Sequence, residues 1–103
     1  MDNKKFTKGK WEVKHSESKP AFNVVGTQLG GKYKIARCPY MQDKTFSKEY
    51  NNKEIDEAQA NAKLIASAPE MLEMLIEFST DSDGYDLDYL VDKAKELILK
   101  ITD

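Results

Sequence analysis

A chain of 103 residues has room for one hydrophobic core but not two. The single cysteine, Cys38, cannot close an internal disulfide, which places the chain with proteins of a reducing cytoplasm. No apolar run approaches the roughly 20 residues that cross a bilayer, and the lysines of the opening MDNKKFTKGKW are followed by no apolar stretch, so neither a membrane span nor a signal peptide is expected. The net charge of −2 conceals a division. Residues 1–50 hold ten Lys and one Arg against five acids, a balance of +6, and residues 51–103 hold five Lys against thirteen acids, a balance of −8. A basic half of this kind draws in an anionic ligand, or else pairs with the acidic half within the fold or between copies.

The elements follow in chain order. KWEVKHS alternates Trp11, Val13 and His15 with Glu12, Lys14 and Ser16, the pattern of a half-buried strand. AFNVVGTQLGGKYKIARC predicts two further strands joined at Gly30-Gly31, a pair suited to the positive φ angles of a tight hairpin. A two-residue turn there sets Leu29 against Lys32, Gly26 against Ile35 and Val24 against Arg37, so that Phe22, Val24, Tyr33, Ile35 and Arg37 share a face. The connection PYMQDKTFSKEYNN, residues 39–52, is long for a small domain and either serves as a binding loop or hides a fourth strand near Lys44–Lys48.

Beyond residue 50 the composition turns helical. Asn51 with Glu54 has the spacing of a capping box, with Tyr50 and Ile55 placed as a hydrophobic staple. Ile55, Ala58, Ala62 and Ile65 form an apolar stripe of mostly small residues. Ser67 and Glu70 repeat the capping spacing around Pro69, whose missing N–H does no harm in a first turn. Ala68, preceding Pro69, is biased away from the helix. Two helices, about 53–66 and 68–78, meeting at a corner are predicted, a single kinked helix being the alternative. Leu87, Leu90, Val91, Ala94, Leu97, Ile98 and Ile101 mark a third helix, with Asp86 and Asp88 at its start and Lys100 near its end to suit its dipole. The second and third helices, joined across STDSDGYD, are expected to pair antiparallel and lie on the sheet. The predicted fold is α+β over a single domain, residues 1–103: an antiparallel sheet of three to four strands in a β-rich half, 1–50, and two to three helices packed on it in a helical half, 51–103.

Catalytic chemistry finds little support in these residues. One His and one Cys do not make the usual zinc site. Aligning Gly84 with the invariant glycine of an EF-hand loop puts Asp81 and Asp83 at ligand positions but Ser79 and Leu90 at two essential ones, so that motif fails. His15 lies near no nucleophile elbow or cysteine signature, and GTQLGGK lacks the phosphate-loop spacing and the helix that should follow it. Glu54, Asp56, Glu57, Glu70, Glu73 and Glu77 are accounted for by solvated helix faces and first-turn charges. No enzyme activity, metal or cofactor is expected, which leaves binding.

Arg37 is the only arginine, and on the register above it faces the helices, where it needs either an acid such as Glu57 or an anionic ligand. Asn61 borders the small-residue stripe; a half-buried amide there must be hydrogen-bonded, to a neighbouring loop or to a polar edge of a ligand. Lys34, Tyr40 and Phe46 complete the candidate set, the lysine for phosphates and the aromatics for stacking on a base. The structural alternatives are a salt bridge or solvated strand end for Arg37 and core positions for the aromatics, Trp11 and Tyr33 above all. Nucleic acid is a poor partner for a chain with one arginine and acidic helices. The stripe Ala58, Ala62, Ala66 permits close helix approach between copies, so a homo-oligomer is expected.

The stretch EAQANAKLIASAPEMLEML, residues 57–75, resembles a motif, E-A-x-A-N-A-x-L-I-A-x-A-P-E-L-L-E-x-L, of small accessory proteins of tailed phages and prophages. TKGKWEV and YKIARC are similar to that family's opening Gly-x-Trp strand and its Ile-Ala strand, so the likeness covers most of residues 7–78. The segment from Arg37 to Tyr40 departs from the family in being basic and aromatic. The resemblance implies a phage or prophage origin, no known enzyme activity and a place in the host cytoplasm. By architecture the chain is also similar to phage sponge proteins, which oligomerise and sequester nucleotide-derived immune signals such as cyclic ADP-ribose variants and cyclic oligonucleotides. The expectation is a non-enzymatic protein that binds a small anionic cyclic-nucleotide or ADP-ribose-like ligand through Arg37, Lys34, Asn61, Tyr40 and Phe46. The alternative is an interaction module for a host or phage protein, with no small-molecule pocket.

Overall fold

A computed structural model describes residues 5–26, 33–42, 45–80 and 87–102. Three strands, β1 (Trp11–Ser16), β2 (Ala21–Gly26) and β3 (Tyr33–Pro39), form an antiparallel sheet in the order β1-β2-β3. Three helices follow, α1 (Lys48–Ala66), α2 (Ala68–Thr80) and α3 (Leu87–Thr102). The fold is the α+β arrangement expected. Contacts gather the chain into two units, residues 1–66 and 67–103, so α1 belongs with the sheet rather than with the later helices. The first unit carries twelve Lys and one Arg against eight acids and the second three Lys against ten acids, +5 and −7.

Within the first unit the period-two pattern sets the inner face. Trp11, Val13 and His15 pair with Gly26, Val24 and Phe22, and Val24 and Phe22 pair in turn with Ala36 and Cys38. Against this face lies the small-residue stripe of α1: Phe22, Val24, Tyr40, Ala58 and Ala62 form the buried cluster, with Val24 and Ala62 fully excluded from solvent. Alanines let the helix backbone approach the sheet closely, so the stripe read as a contact between copies serves the core of one chain. Gly26 admits another close approach, since a Cβ there would sit 2.8 Å from Thr7 Cγ2. The Thr7 carbonyl accepts a 2.9 Å hydrogen bond from Trp11 Nε1, and Gly9 between them takes a φ of 89° that favours glycine.

Three expectations are corrected. The predicted hairpin register is displaced: Val24 stands opposite Ala36, and Arg37 opposite Asn23. The cause is a bulge at Ile35, the extra residue on β3 between the Val24 and Val25 pairings, which lets Ile35 and Ala36 both pack on the core. A displacement of one residue turns a side chain over, so Arg37 belongs to the face that carries Asn23 and Lys14, not to the face packed on α1. The Gly30-Gly31 turn and the Leu29–Lys32 pairing lie outside the described residues. The fourth strand is absent from its described part, since 45–47 form a turn and Lys48 opens α1; Lys44 lies outside the described residues.

The start of α1 is the third correction. The helix begins at Lys48, five residues before the predicted position. Ser47, not Asn51, caps it: the Tyr50 N–H donates to Ser47 Oγ at 3.1 Å and the Asn51 N–H to the Ser47 carbonyl at 3.1 Å. At this end Phe46 packs on Tyr50, ring centroids 4.8 Å apart. The break between α1 and α2 falls at Ser67, as the SAPE spacing predicts, with the Met71 N–H bonded to the Ser67 carbonyl at 3.0 Å and Pro69 in the first turn.

In the second unit α2 and α3 run antiparallel. Lys93 Nζ lies 2.7 Å from Glu77 Oε1 and Lys100 Nζ 3.1 Å from Glu70 Oε1, while Met74 and Leu90 are buried. The hydrogen bond that Lys93 donates to the Glu77 carboxylate raises the pKa of Lys93 above its ordinary 10.5. The predicted acidic turn with Asp81, Asp83 and Asp86 lies outside the described residues.

If α1 is seated on the sheet through its alanines, Ala62→Leu overpacks the interface and lowers stability by about 1–3 kcal/mol. Val24→Ala should cost about 2 kcal/mol, and Ser47→Ala about 1 kcal/mol through loss of the cap. Urea unfolding of the full chain followed by circular dichroism reads all three; an unchanged midpoint for Ala62→Leu contradicts the packing.

Candidate functional site

A groove of about 410 Å³ opens between β3 and the C-terminal half of α1. Arg37, Cys38 and Pro39 line it from the strand, and Ala58, Asn61, Leu64 and Ile65 from the helix. The local sequence explains both walls. β3 is an edge strand of the described sheet, so its residues border the groove without a further strand beyond them. On α1, Ala58, Asn61 and Ile65 recur at helical spacing, and Ala58 is buried against the sheet while Asn61 stays exposed beside it. The half-buried amide expected at Asn61 is thus corrected: its side chain is open to solvent and needs no internal partner.

Arg37 and Asn61 are the two polar side chains among the residues that line the groove; the others are apolar. Leu64 is 49% exposed, while Cys38 and Ile65 are half-buried. Apolar walls with a few polar groups among them are the ordinary lining of a small-molecule site, although this groove is open to solvent along its length. Arg37 supplies positive charge and a planar fork of donors suited to phosphate or carboxylate. Asn61 supplies a donor and an acceptor on a rigid element.

Of the five candidate residues, the structure brings Arg37 and Asn61 together and places the other three elsewhere. Lys34 is exposed on β3 opposite Val25, on the same sheet face as Arg37 but outside the groove lining. Tyr40 is a core residue, 8% exposed, and not a stacking platform. Its ring lies 5.6 Å from Phe22 and 5.8 Å from His15, its hydroxyl is hydrogen-bonded with His15 Nε2, and its N–H donates to the Pro20 carbonyl at 3.2 Å. Phe46 is exposed but packs on Tyr50 at the start of α1, away from the groove lining.

Two features went unread in the sequence. His15 stacks on Phe22 with centroids 4.5 Å apart, making a His15–Phe22–Tyr40 cluster that the strand pattern hints at only through His15 and Phe22. Asn23, a polar interruption in AFNVVG, stands between Lys14 and Arg37 in the sheet register, and its Oδ1 is buried without a hydrogen bond. Buried acceptors are normally satisfied, and the two flanking cations make this strip of sheet basic. Among the described residues no three His, Cys, Asp or Glu gather as a metal site, and no helix is long and apolar enough to cross a membrane.

At the head of α1 the Tyr50 hydroxyl donates a hydrogen bond to the Glu54 carboxylate, and this bond together with the negative charge of Glu54 raises its pKa above 10.0. The contribution of that bond is complete below the ordinary tyrosine value and is lost as pH climbs through the raised one. Spectrophotometric titration of the tyrosines should therefore show a late-ionising component that Tyr50→Phe removes and Glu54→Gln shifts to lower pH. A titration unchanged by Glu54→Gln contradicts the pairing.

None of the curated proteins and none of the solved structures compared with the chain matches it. One family model does, that of the Salmonella phage P22 protein Y8K6, and it covers residues 1–102. The match takes in the sheet, the groove and all three helices, and the chain belongs to this family of phage proteins.

Proposed function

We propose that the protein is a non-enzymatic phage accessory factor that acts in the cytoplasm of its host by binding a small anionic, nucleotide-like ligand in the groove between β3 and α1. The observation that carries this reading is the presence of Arg37 and Asn61 in the lining of one groove whose other walls are apolar. Arg37 meets the phosphates with charge-assisted hydrogen bonds, Asn61 reads a polar edge of the base or ribose, and Leu64 and Ile65 cover its apolar face. Sequestration of a nucleotide-derived immune signal fits such a site, because binding alone removes a signal from circulation. The likeness to sponge proteins supports this by analogy of architecture alone.

A second reading rests on a separate observation, the free edge of β3 within the described sheet. An extended segment of a host or phage protein can add to such an edge by main-chain hydrogen bonds, with Lys34 and Arg37 setting its charge preference.

A panel of cyclic mononucleotides, cyclic dinucleotides and ADP-ribose separates the two. A ligand that binds only the native state raises the melting temperature progressively with its concentration. The expected hit loses at least tenfold in affinity on Arg37→Ala and severalfold on Asn61→Ala. The half-buried Cys38 in the groove wall gives an independent reading, since bound ligand slows its alkylation by a maleimide. No thermal shift across the panel, with Cys38 reacting at the same rate throughout, overturns the ligand reading.

A further inference from the structure

The second unit leaves an apolar seam on α3 that its own hairpin does not use. Leu90 is buried and Leu97 half-buried on the side of α2, and Lys93 and Lys100 stand on one flank of them, tied to Glu77 and Glu70. On the other flank run Leu87, Val91, Ala94 and Ile98, spaced four, three and four residues apart, the a/d rhythm of a coiled coil. Leu87 is 51%, Val91 38% and Ile98 58% exposed. Large apolar side chains repeated along one stripe of a helix differ from the scattered surface leucines of any protein and mark a contact face.

The charges bordering the seam identify what covers it. Asp88 lies along its N-terminal half and Lys95 along its C-terminal half, each directly after a d position. In an antiparallel pair of α3 helices Leu87 of one copy meets Ile98 of the other, Val91 meets Ala94, and Asp88 lies on the same flank as Lys95, two residues short of level with it. A two-fold axis makes each of these contacts twice. In a parallel pair the positions that face Asp88 and Lys95 belong to the row of Leu90 and Leu97, which α2 already engages, so the charges find no partner. The seam is therefore self-complementary in one orientation. We infer that α3 is a self-association helix, and that a second copy of this chain docks antiparallel on Leu87, Val91, Ala94 and Ile98. This surface is distinct from the groove of the first unit and does not depend on what that groove binds.

Sedimentation velocity of the full chain over a concentration series tests the inference. A reversible monomer–dimer equilibrium is expected, shifted at least tenfold toward monomer by Ile98→Lys with helix content by circular dichroism unchanged. Asp88→Lys and Lys95→Asp should each weaken the dimer, and the double variant, which exchanges the two charges, should restore it; mere destabilisation of α3 gives no such rescue. A chain that stays monomeric at every concentration overturns the inference. So does a dimer indifferent to Ile98→Lys, or a double variant no better than either single one.

Discussion

The close approach of α1 to the sheet is the constraint on which the first unit depends. Ala58 and Ala62 reach the buried cluster with Phe22, Val24 and Tyr40 because neither projects a side chain beyond Cβ. Larger residues would hold the helix off the sheet and leave voids that a core of this size cannot tolerate. The same seating determines which α1 residues come to the rim. Asn61 stands one helical step beyond Ala58 and one before Leu64 and Ile65, so fixing Ala58 and Ala62 against β2 fixes Asn61 beside β3. The groove is the edge of that packing, and Asn61 is positioned in it by the seating of Ala58, which itself lines the groove, and of Ala62.

The bulge at Ile35 matters nearly as much. Without it the strand would present Ile35 or Ala36 to the core, but not both. Taking up an extra residue lets both contribute apolar area, and it reverses the facing of everything toward the C-terminal end of β3. Arg37 is thereby carried to the outer face, beside Asn23 and across from Lys14, rather than into the helix interface. There it is spared the cost of burying a guanidinium, which would demand a paired acid. Exposure leaves the cation available at a groove wall.

Much of this was legible in the residues. The three strands, the helix break at Ser67 and the α3 stripe follow from period two, capping spacing and period 3.6, each a local signal. What was not legible depended on distant packing. A two-residue turn at Gly30-Gly31 predicts the simplest register, and nothing local to YKIAR announces that Ile35 will be an extra residue. The start of α1 was misplaced because Asn51 and Glu54 satisfy a capping box in sequence, while Ser47, with tyrosine three residues on, satisfies the backbone N–H in space. The aromatic residues divided the same way: Tyr40 and Phe46 look alike in a list of stacking candidates, but only contact with His15 and Phe22 makes one of them core. Arg37 and Asn61 stood out in sequence for being solitary, a lone arginine and an amide on a small-residue stripe. Their meeting in one groove required the fold.

Magnitudes limit what such a groove can do by itself. A charge-assisted hydrogen bond contributes about 1.5–3 kcal/mol, and drug-sized ligands gain only about 0.3 kcal/mol per heavy atom. For a nucleotide of some two dozen atoms these figures correspond to a dissociation constant on the order of micromolar. Sequestration at that affinity works only where the protein is present above both the dissociation constant and the ligand. It therefore depends on abundance and copy number as much as on the shape of the site. If α3 self-associates as inferred, two copies carry two grooves. A ligand with two phosphates or two bases that spans them gains an effective concentration no single groove supplies, provided the geometry allows both to engage at once. Charge is distributed to suit such a division, with the excess of lysines on the unit that bears the groove and the acids on the unit that bears the seam.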